Sequence, residues 1–202
     1  MSAMTDVAFT DAVKAAQERF GTREDARSYE ESGRPAEMTD DLAQFIAARD
    51  SAYLATASAD GRPYIQHRGG MPGFLKVLDA RTIGFADYPG NRQLITTGNL
   101  TENACAFLFL MDYPNRQRVK LWGRAEIVED PEFIARVATA NLPFEVTRAI
   151  RFTVEAWDLN CRQFIKPRYT EEDVKRATDK LSARIAALEA EVERLRADAV
   201  AR

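Results

Sequence analysis

Residues 82–112 read "TIGFADYPGNRQLITTGNLTENACAFLFLMD". Two apolar runs, 82–86 and 105–111, have strand length, and each leads into Asp-Tyr-Pro. After the first run, "DYPGNRQ" (87–93) passes through a Pro-Gly turn into "NRQLITTGNL" (91–100), which reads as a helix ended near Gly98. After the second, "DYPNRQR" (112–118) continues into "VKLWG", so Pro114-Asn115 reads as a hairpin turn. Two near-identical strings thus serve a strand-to-helix and a strand-to-strand connection. The run "ACAFLFLMD" (104–112) is apolar enough to suggest a strand buried on both faces.

The surrounding chain keeps the strand period. "SAYLATASADGRPYIQHRGG" (51–70) is strand, tight turn at Asp60-Gly61, and strand over 63–68. "GFLKVLDARTIGFAD" (73–87) repeats the pattern around a turn near Asp79-Arg81. "RVKLWGRAEIVED" (118–130) pairs with the 105–111 run, with Gly123 as a bulge. The last strand, in 147–160, alternates over Ile150, Phe152, Val154 and Ala156. Helical patterns flank this region. They lie at 10–20, at "MTDDLAQFIAARD" (38–50) with Thr39 or Asp40 as N-cap, and at "DPEFIARVATAN" (130–141) with Pro131 in its first turn. The polar stretch 24–35 reads as a connector. About six hairpin-linked strands imply a mainly β chain with flanking helices (β+α), an antiparallel barrel in preference to a doubly wound sheet. No GxGxxG follows a strand, which also weighs against a dinucleotide fold.

From Glu171 onward there is neither Gly nor Pro. Leu181, Ile185, Leu188, Val192 and Leu195 alternate at spacings of four and three. Leu at d with β-branched residues at a favours a parallel two-stranded coiled coil. Arg184 with Glu189, and Glu191 with Arg196, would attract across such a dimer. An amphipathic helix packed on its own domain is the competing reading. The expected organisation is a helical extension (1–38), a barrel domain (39–168) and a C-terminal coiled-coil-like helix (169–202).

Composition narrows the chemistry. The 202 residues are 46% apolar and 29% charged, with net charge −3, so a packed core is expected and a basic nucleic-acid surface is not. No apolar run spans a bilayer and no signal peptide is legible, so the expectation is a cytoplasmic protein without membrane contact. Cys105 and Cys161 form no CxxC pair, and His67 is the single histidine. Zinc and Ser-His-Asp chemistry therefore lack ligands, and an enzyme of this composition would lean on a cofactor.

The turn after 82–86 is the leading candidate site. A helix N-terminus beside Arg92, with Asn91 and Gln93 as further donors, suits a phosphate. The alternative is that Asn91 only caps the helix and Arg92 is solvated. On the 63–68 strand, Gln66 and Arg68 share one face and Ile65 and His67 the other, so Arg68 could meet the same phosphate. An ordinary polar pair is the alternative there, and a structural histidine the default for His67. Trp157 is expected in the core or at an interface.

The segments "YLATASADGRPYIQHRGG", "TIGFADYPGNRQLITTGNLTENACAFLFLMD" and "RVKLWGRAEIVED", in this order and spacing, resemble the pyridoxamine 5′-phosphate oxidase-like superfamily of FMN-binding split barrels. The segment "WDLNCRQFI" (157–165) resembles the W-D-x-N-C-P-Q-H-I signature of a flavin oxidoreductase branch. The resemblance covers about residues 40–168. It implies a six-stranded antiparallel split barrel that forms a homodimer with FMN at the subunit interface. Transferred to this chain, phosphate contacts fall to Arg68 with Gln66 and His67, and to Asn91, Arg92 and Gln93 after Tyr88. The resemblance places Gln117 as a contact from the partner subunit and Cys161 and Gln163 beside the flavin. The signature's Pro and His are Arg162 and Phe164 here, and no His follows Trp157. Vitamin B6 oxidation is therefore not expected. The implied activity is flavin-dependent oxidation or reduction of a small molecule, with NAD(P)H as a possible donor. A flavin-binding or sensing protein without turnover is the rival.

Overall fold

The structure, a computed structural model, describes residues 4–32, 36–139, 144–159 and 162–201. The chain forms two compact units, residues 1–112 with 117–163, and residues 113–116 with 164–202. The first unit holds an antiparallel sheet of seven strands. These are β1 (Ser51–Ala57), β2 (Pro63–Gly69), β3 (Lys76–Val77), β4 (Thr82–Ala86), β5 (Cys105–Asp112), β6 (Gln117–Val128) and β7 (Ala149–Leu159). Their spatial order is β2-β1-β5-β6-β7-β4-β3. Among the described residues no ladder joins β2 to β3, so the barrel is split. The strands number seven against the expected six or so, and the arm expected before the Asp79 turn is only the two-residue β3, paired with Ile83 and Gly84.

Alternation carries the core. Leu54, Leu108, Leu110, Leu121, Ile150 and Phe152 are fully buried, and each is one of an inward-facing series on its strand. Burial of each such side chain contributes about 1.5–3 kcal/mol. β5 corrects the expectation of a strand buried on both faces. Ala106, Leu108, Leu110 and Asp112 are buried, whereas Phe107, Phe109 and Met111 are half-buried on the outer face. That face is itself aromatic. Phe107 meets Trp122 edge to face at 5.0 Å, and Tyr53 pairs with Phe109 across the ladder. The strand is therefore apolar throughout without being enclosed. Gly123 is the expected bulge: the β6–β7 register shifts between Trp122 and Gly123. A Cβ there would stand 2.1 Å from the Thr153 carbonyl oxygen.

Helix α4 (Asp40–Ala47) plugs the sheet. The Thr39 hydroxyl accepts from the Leu42 amide, which fixes its start, and Leu42 and Ile46 enter the core. Arg49, just past its end, donates from Nε to the Phe45 carbonyl and from Nη1 to the Met111 carbonyl. It also pairs with buried Asp112 at 2.9 Å. Helix α6 (Pro131–Val137) is capped by Asp130, and its Phe133 and Val137 pack with Val128 and Ala149. Helices α1 (Met4–Ala8), α2 (Asp11–Arg19) and α3 (Arg23–Ser32) precede the barrel, and α1 packs on β7. The polar connector expected at 24–35 is largely helical as α3. Its charges pair along the axis, Arg23 with Glu30 at 3.0 Å, and Ala26 supplies the buried anchor.

The helix expected over 91–100 is shifted. α5 (Ile95–Glu102) begins later and runs through Gly98 to Glu102. Residues 87–94 stay irregular, because left-handed backbone at Leu94 keeps the helix from extending backwards. In the second unit, α7 (Glu171–Val200) opens with a capping box between Thr170 and Asp173. Arg168 stacks 4.6 Å over the Tyr113 ring.

Candidate functional site

Where β4 ends, the chain turns through Asp87, a carboxylate only 7% exposed. Two arginines from elsewhere in the sequence surround it. Arg68 on β2 donates from Nη1 to Asp87 Oδ1 at 2.6 Å. Arg148, immediately before β7, donates from Nε to Asp87 Oδ2 at 3.2 Å. The Asp87 amide in turn donates to the Arg148 carbonyl at 2.9 Å. Three strand ends are thereby tied at one point. With Arg92 in the following turn, three arginines and this carboxylate line one cleft. Among the described residues two buried side-chain nitrogens lack an acceptor, Arg68 Nε and, on β6, Arg118 Nε; Arg68 lines this cleft. A buried, unpaired N–H of a cation is costly and wants an anionic partner.

The turn itself has an unusual backbone. Gly90, Arg92 and Leu94 have φ of 47°, 58° and 55°, so every second residue is left-handed. Within the turn the Arg92 amide donates to the Pro89 carbonyl oxygen at 3.1 Å and is thereby satisfied. Two of the three are not glycine, at about 1–2 kcal/mol each. Strain of this kind persists where neighbouring structure enforces it. The expected cap by Asn91 is absent, since Asn91 folds back on Gln93. Its Oδ1 accepts from the Gln93 amide at 3.2 Å and its Nδ2 donates to Gln93 Oε1 at 3.0 Å. Leu94 is the N-cap residue of α5 and no side chain caps that helix. The first N–H groups of α5 are thus left for a ligand or water. Thr96 donates its hydroxyl to Gln66 Oε1 at 2.9 Å, which fixes the Gln66 amide beside Arg68.

Six of the ten residues singled out by sequence line this one cleft: Gln66, Arg68, Tyr88, Asn91, Arg92 and Gln93. His67 is elsewhere. It lies on the outer face of β2, exposed, with its ring edge-to-face against Tyr53 at 5.6 Å. Gln117, the first residue of β6, lines a second, more apolar cleft with Phe45, Trp157 and Leu159. Trp157 is a core residue whose indole N–H donates to the Glu37 carbonyl at 3.1 Å. Gln163 is exposed beyond β7 and does not line the first cleft. Cys161 lies outside the described residues. Sequence reading missed Asp87, Arg148 and Thr96. The available signal was an acidic residue at the end of an apolar strand, where burial demands a cation.

A split antiparallel barrel with a basic cleft at a strand-to-helix turn defines the class of protein. A family model described as pyridoxamine 5′-phosphate oxidase matches residues 38–161, and the chain belongs to that family. Similar solved structures include HupZ of Group A Streptococcus, with 15% identity, a TM-score of 0.47, and coverage of 65% of this chain and 100% of that one. An FMN-binding protein from Syntrophomonas wolfei has 13% identity and a TM-score of 0.47, covering 74% and 97% of the two chains. A protein related to general stress protein 26, of the pyridoxinephosphate oxidase family, from Clostridium acetobutylicum has 16% identity and a TM-score of 0.43, covering 57% and 82%. Among curated proteins, none matches this chain significantly. No helix among the described residues is long and apolar enough to cross a membrane. Nor do the described residues contain a group of three or more His, Cys, Asp or Glu arranged to hold a metal ion.

Proposed function

We propose that the cleft binds FMN by its phosphate and that the protein is an FMN-dependent oxidoreductase of small molecules. The observation that carries this reading is the buried Arg68 Nε, without an acceptor among the described residues, in a cleft lined by three arginines and one carboxylate. Arg68, Arg92 and Arg148 would take the phosphate charge, and the uncapped start of α5 would add neutral donors. Gln66, held by Thr96, would orient a hydroxyl or carbonyl next to that phosphate. Bound in this way, FMN would supply hydride and single-electron chemistry that no side chain of this protein provides. The protein's own part is then to hold the phosphate, present the ring and exclude water.

The reading includes a homodimer. Outer-face residues Ile65, Tyr53, Phe107, Phe109 and Trp122 form a continuous apolar surface over β2, β1, β5 and β6, suited to a second copy. Gln117 would then serve the partner's site. NAD(P)H is the donor to test first. Titration of the protein with FMN should quench flavin fluorescence at one equivalent per chain, and anaerobic addition of NAD(P)H should bleach the bound flavin. Absence of FMN binding refutes the site. Bound flavin that stays oxidised with both nicotinamides and with dithionite-independent donors refutes the enzyme reading and leaves a flavin-binding protein without turnover.

A further inference from the structure

We propose that α7 is one strand of a parallel, in-register, two-stranded coiled coil formed with a second copy of this chain. The 30-residue helix is about 45 Å long. Leu181, Leu188 and Leu195 at d and Ile185 and Val192 at a are 42–63% exposed, a row of large apolar side chains at coiled-coil spacing. Val174 extends the d series toward the N-terminus and is also exposed. β-Branched residues at a with leucine at d specify two parallel strands.

Two independent features identify the occupant as the same helix. The first is shape. A groove on α7 is lined by Ile185, Leu188, Glu189, Val192, Glu193 and Arg196, of which the first four are the a, d, e and next a positions. Four such residues form the hole that receives a d-position knob from a parallel partner, here the second copy's Leu188. The second is charge. Arg184 at g faces e-position Glu189 of the copy, and Glu191 at g faces Arg196. Neither Arg184 nor Glu189 has an ion pair within the chain among the described residues. Arg196 pairs with Glu193 on its own helix at 3.0 Å, but both side chains are more than 70% exposed, so that contact is weak and yields to an interhelical one. The parallel arrangement brings the two Thr170 caps together, so both chains enter the coil from one end. A linked coil raises the effective concentration of any second contact between the copies.

The test uses the full chain with Cys105 and Cys161 changed to Ser and one cysteine introduced. Leu188→Cys should form a disulfide-linked dimer on mild oxidation at micromolar protein, while Ala190→Cys, at the outward f position, should not. Arg184→Glu in the Leu188→Cys chain should lower the cross-linking rate several-fold at low salt, and adding Glu189→Arg should restore it. Restoration cannot arise within one helix, because positions five apart do not face each other. Failure of Leu188→Cys to cross-link overturns the proposal. So does equal cross-linking at 188 and 190, or no response to the charge reversal. If the seam instead covers the chain's own barrel, Leu188→Cys stays monomeric and Ile185→Asp lowers the barrel's thermal midpoint, which also overturns it.

Discussion

Replacing Arg68 by Gln tests the cleft where its geometry is most specific. The side chain is 11% exposed, bonded to Asp87 through Nη1 and unsatisfied at Nε. A phosphate placed against Nε receives a charge-assisted hydrogen bond, worth about 1.5–3 kcal/mol net. Loss of that bond weakens FMN binding by about 10–150-fold. Riboflavin, which lacks the phosphate, provides the control. Its affinity should change less than about threefold in the same variant, so the FMN-to-riboflavin ratio collapses while ring recognition survives. The variant is expected to fold, because Asp87 keeps Arg148 at 3.2 Å. Losing one of two partners should still cost about 1–3 kcal/mol of stability, read from urea unfolding without ligand. Fluorescence titration of both flavins with wild type and variant completes the cycle. Equal losses for FMN and riboflavin, or none for either, would refute the assignment of Arg68 to the phosphate. Arg92→Gln in the same assay should lose about 1 kcal/mol or less, since the side chain is exposed.

Three further outcomes follow from the packing. Arg49→Ala removes the guanidinium facing buried Asp112 and two bonds to carbonyl oxygens, and should cost about 2–5 kcal/mol in urea unfolding; adding Asp112→Asn should recover part of it. Gly123→Ala places a methyl 2.1 Å from the Thr153 carbonyl oxygen and should lower the thermal midpoint by more than a typical surface substitution, with loss of soluble expression as the extreme. The Asp173 carboxyl is held below the ordinary 3.8 by the Thr170 hydroxyl, then by the Thr170 amide and Arg176. Its folded value is depressed, so the cap on α7 is fully present above 3.8 and is lost as pH falls through the lowered value. Circular dichroism at 222 nm from pH 6 to 2 should show that loss, and Asp173→Ala should remove it; an unchanged acid profile would refute the cap's contribution.

Much of the barrel was legible because period-two patterning, turn residues and caps are local. The Asp60-Gly61 turn, Thr39 as a cap, Pro131 in the first turn of α6, the Gly123 bulge and the inward series on β7 all stand where the sequence puts them. Non-local causes account for the misses. β5 reads as doubly buried because an outer aromatic face has the same composition as a core. α5 reads as starting at Asn91 because the left-handed residues at 92 and 94 carry ordinary side chains, Arg and Leu, that do not advertise the conformation. α3 reads as a connector because its support is an Arg23–Glu30 pair two turns apart. For the site, alternation on β2 already separated Gln66 and Arg68 from His67, and the structure keeps that separation. The carry-over of His67 with its neighbours came from the family pattern alone.

The two Asp-Tyr-Pro strings share more than the sequence suggested. Asp87 and Asp112 are both strand-terminal and both less than 8% exposed. Each binds an arginine from a distant element, Arg68 and Arg148 in one case and Arg49 in the other. A carboxylate buried at a strand end costs several kcal/mol unless a cation meets it, so each fixes which element must lie alongside. Asp112 spends that constraint on architecture, clamping α4 to β5. At Asp87 the cations outnumber the carboxylate, and the turn that follows bends left-handed instead of closing a hairpin. On the proposed reading, the same structural device becomes a ligand site only where charge is left over and the next helix starts without a side-chain cap. An Asp87→Asn variant separates the two roles. It should loosen the junction of β2, β4 and β7 and lower stability, while the cleft's charge excess grows by one. If phosphate affinity, measured with inorganic phosphate by calorimetry at low salt, falls with stability, Asp87 acts chiefly by positioning Arg68. If it rises, net charge governs the site and positioning is secondary.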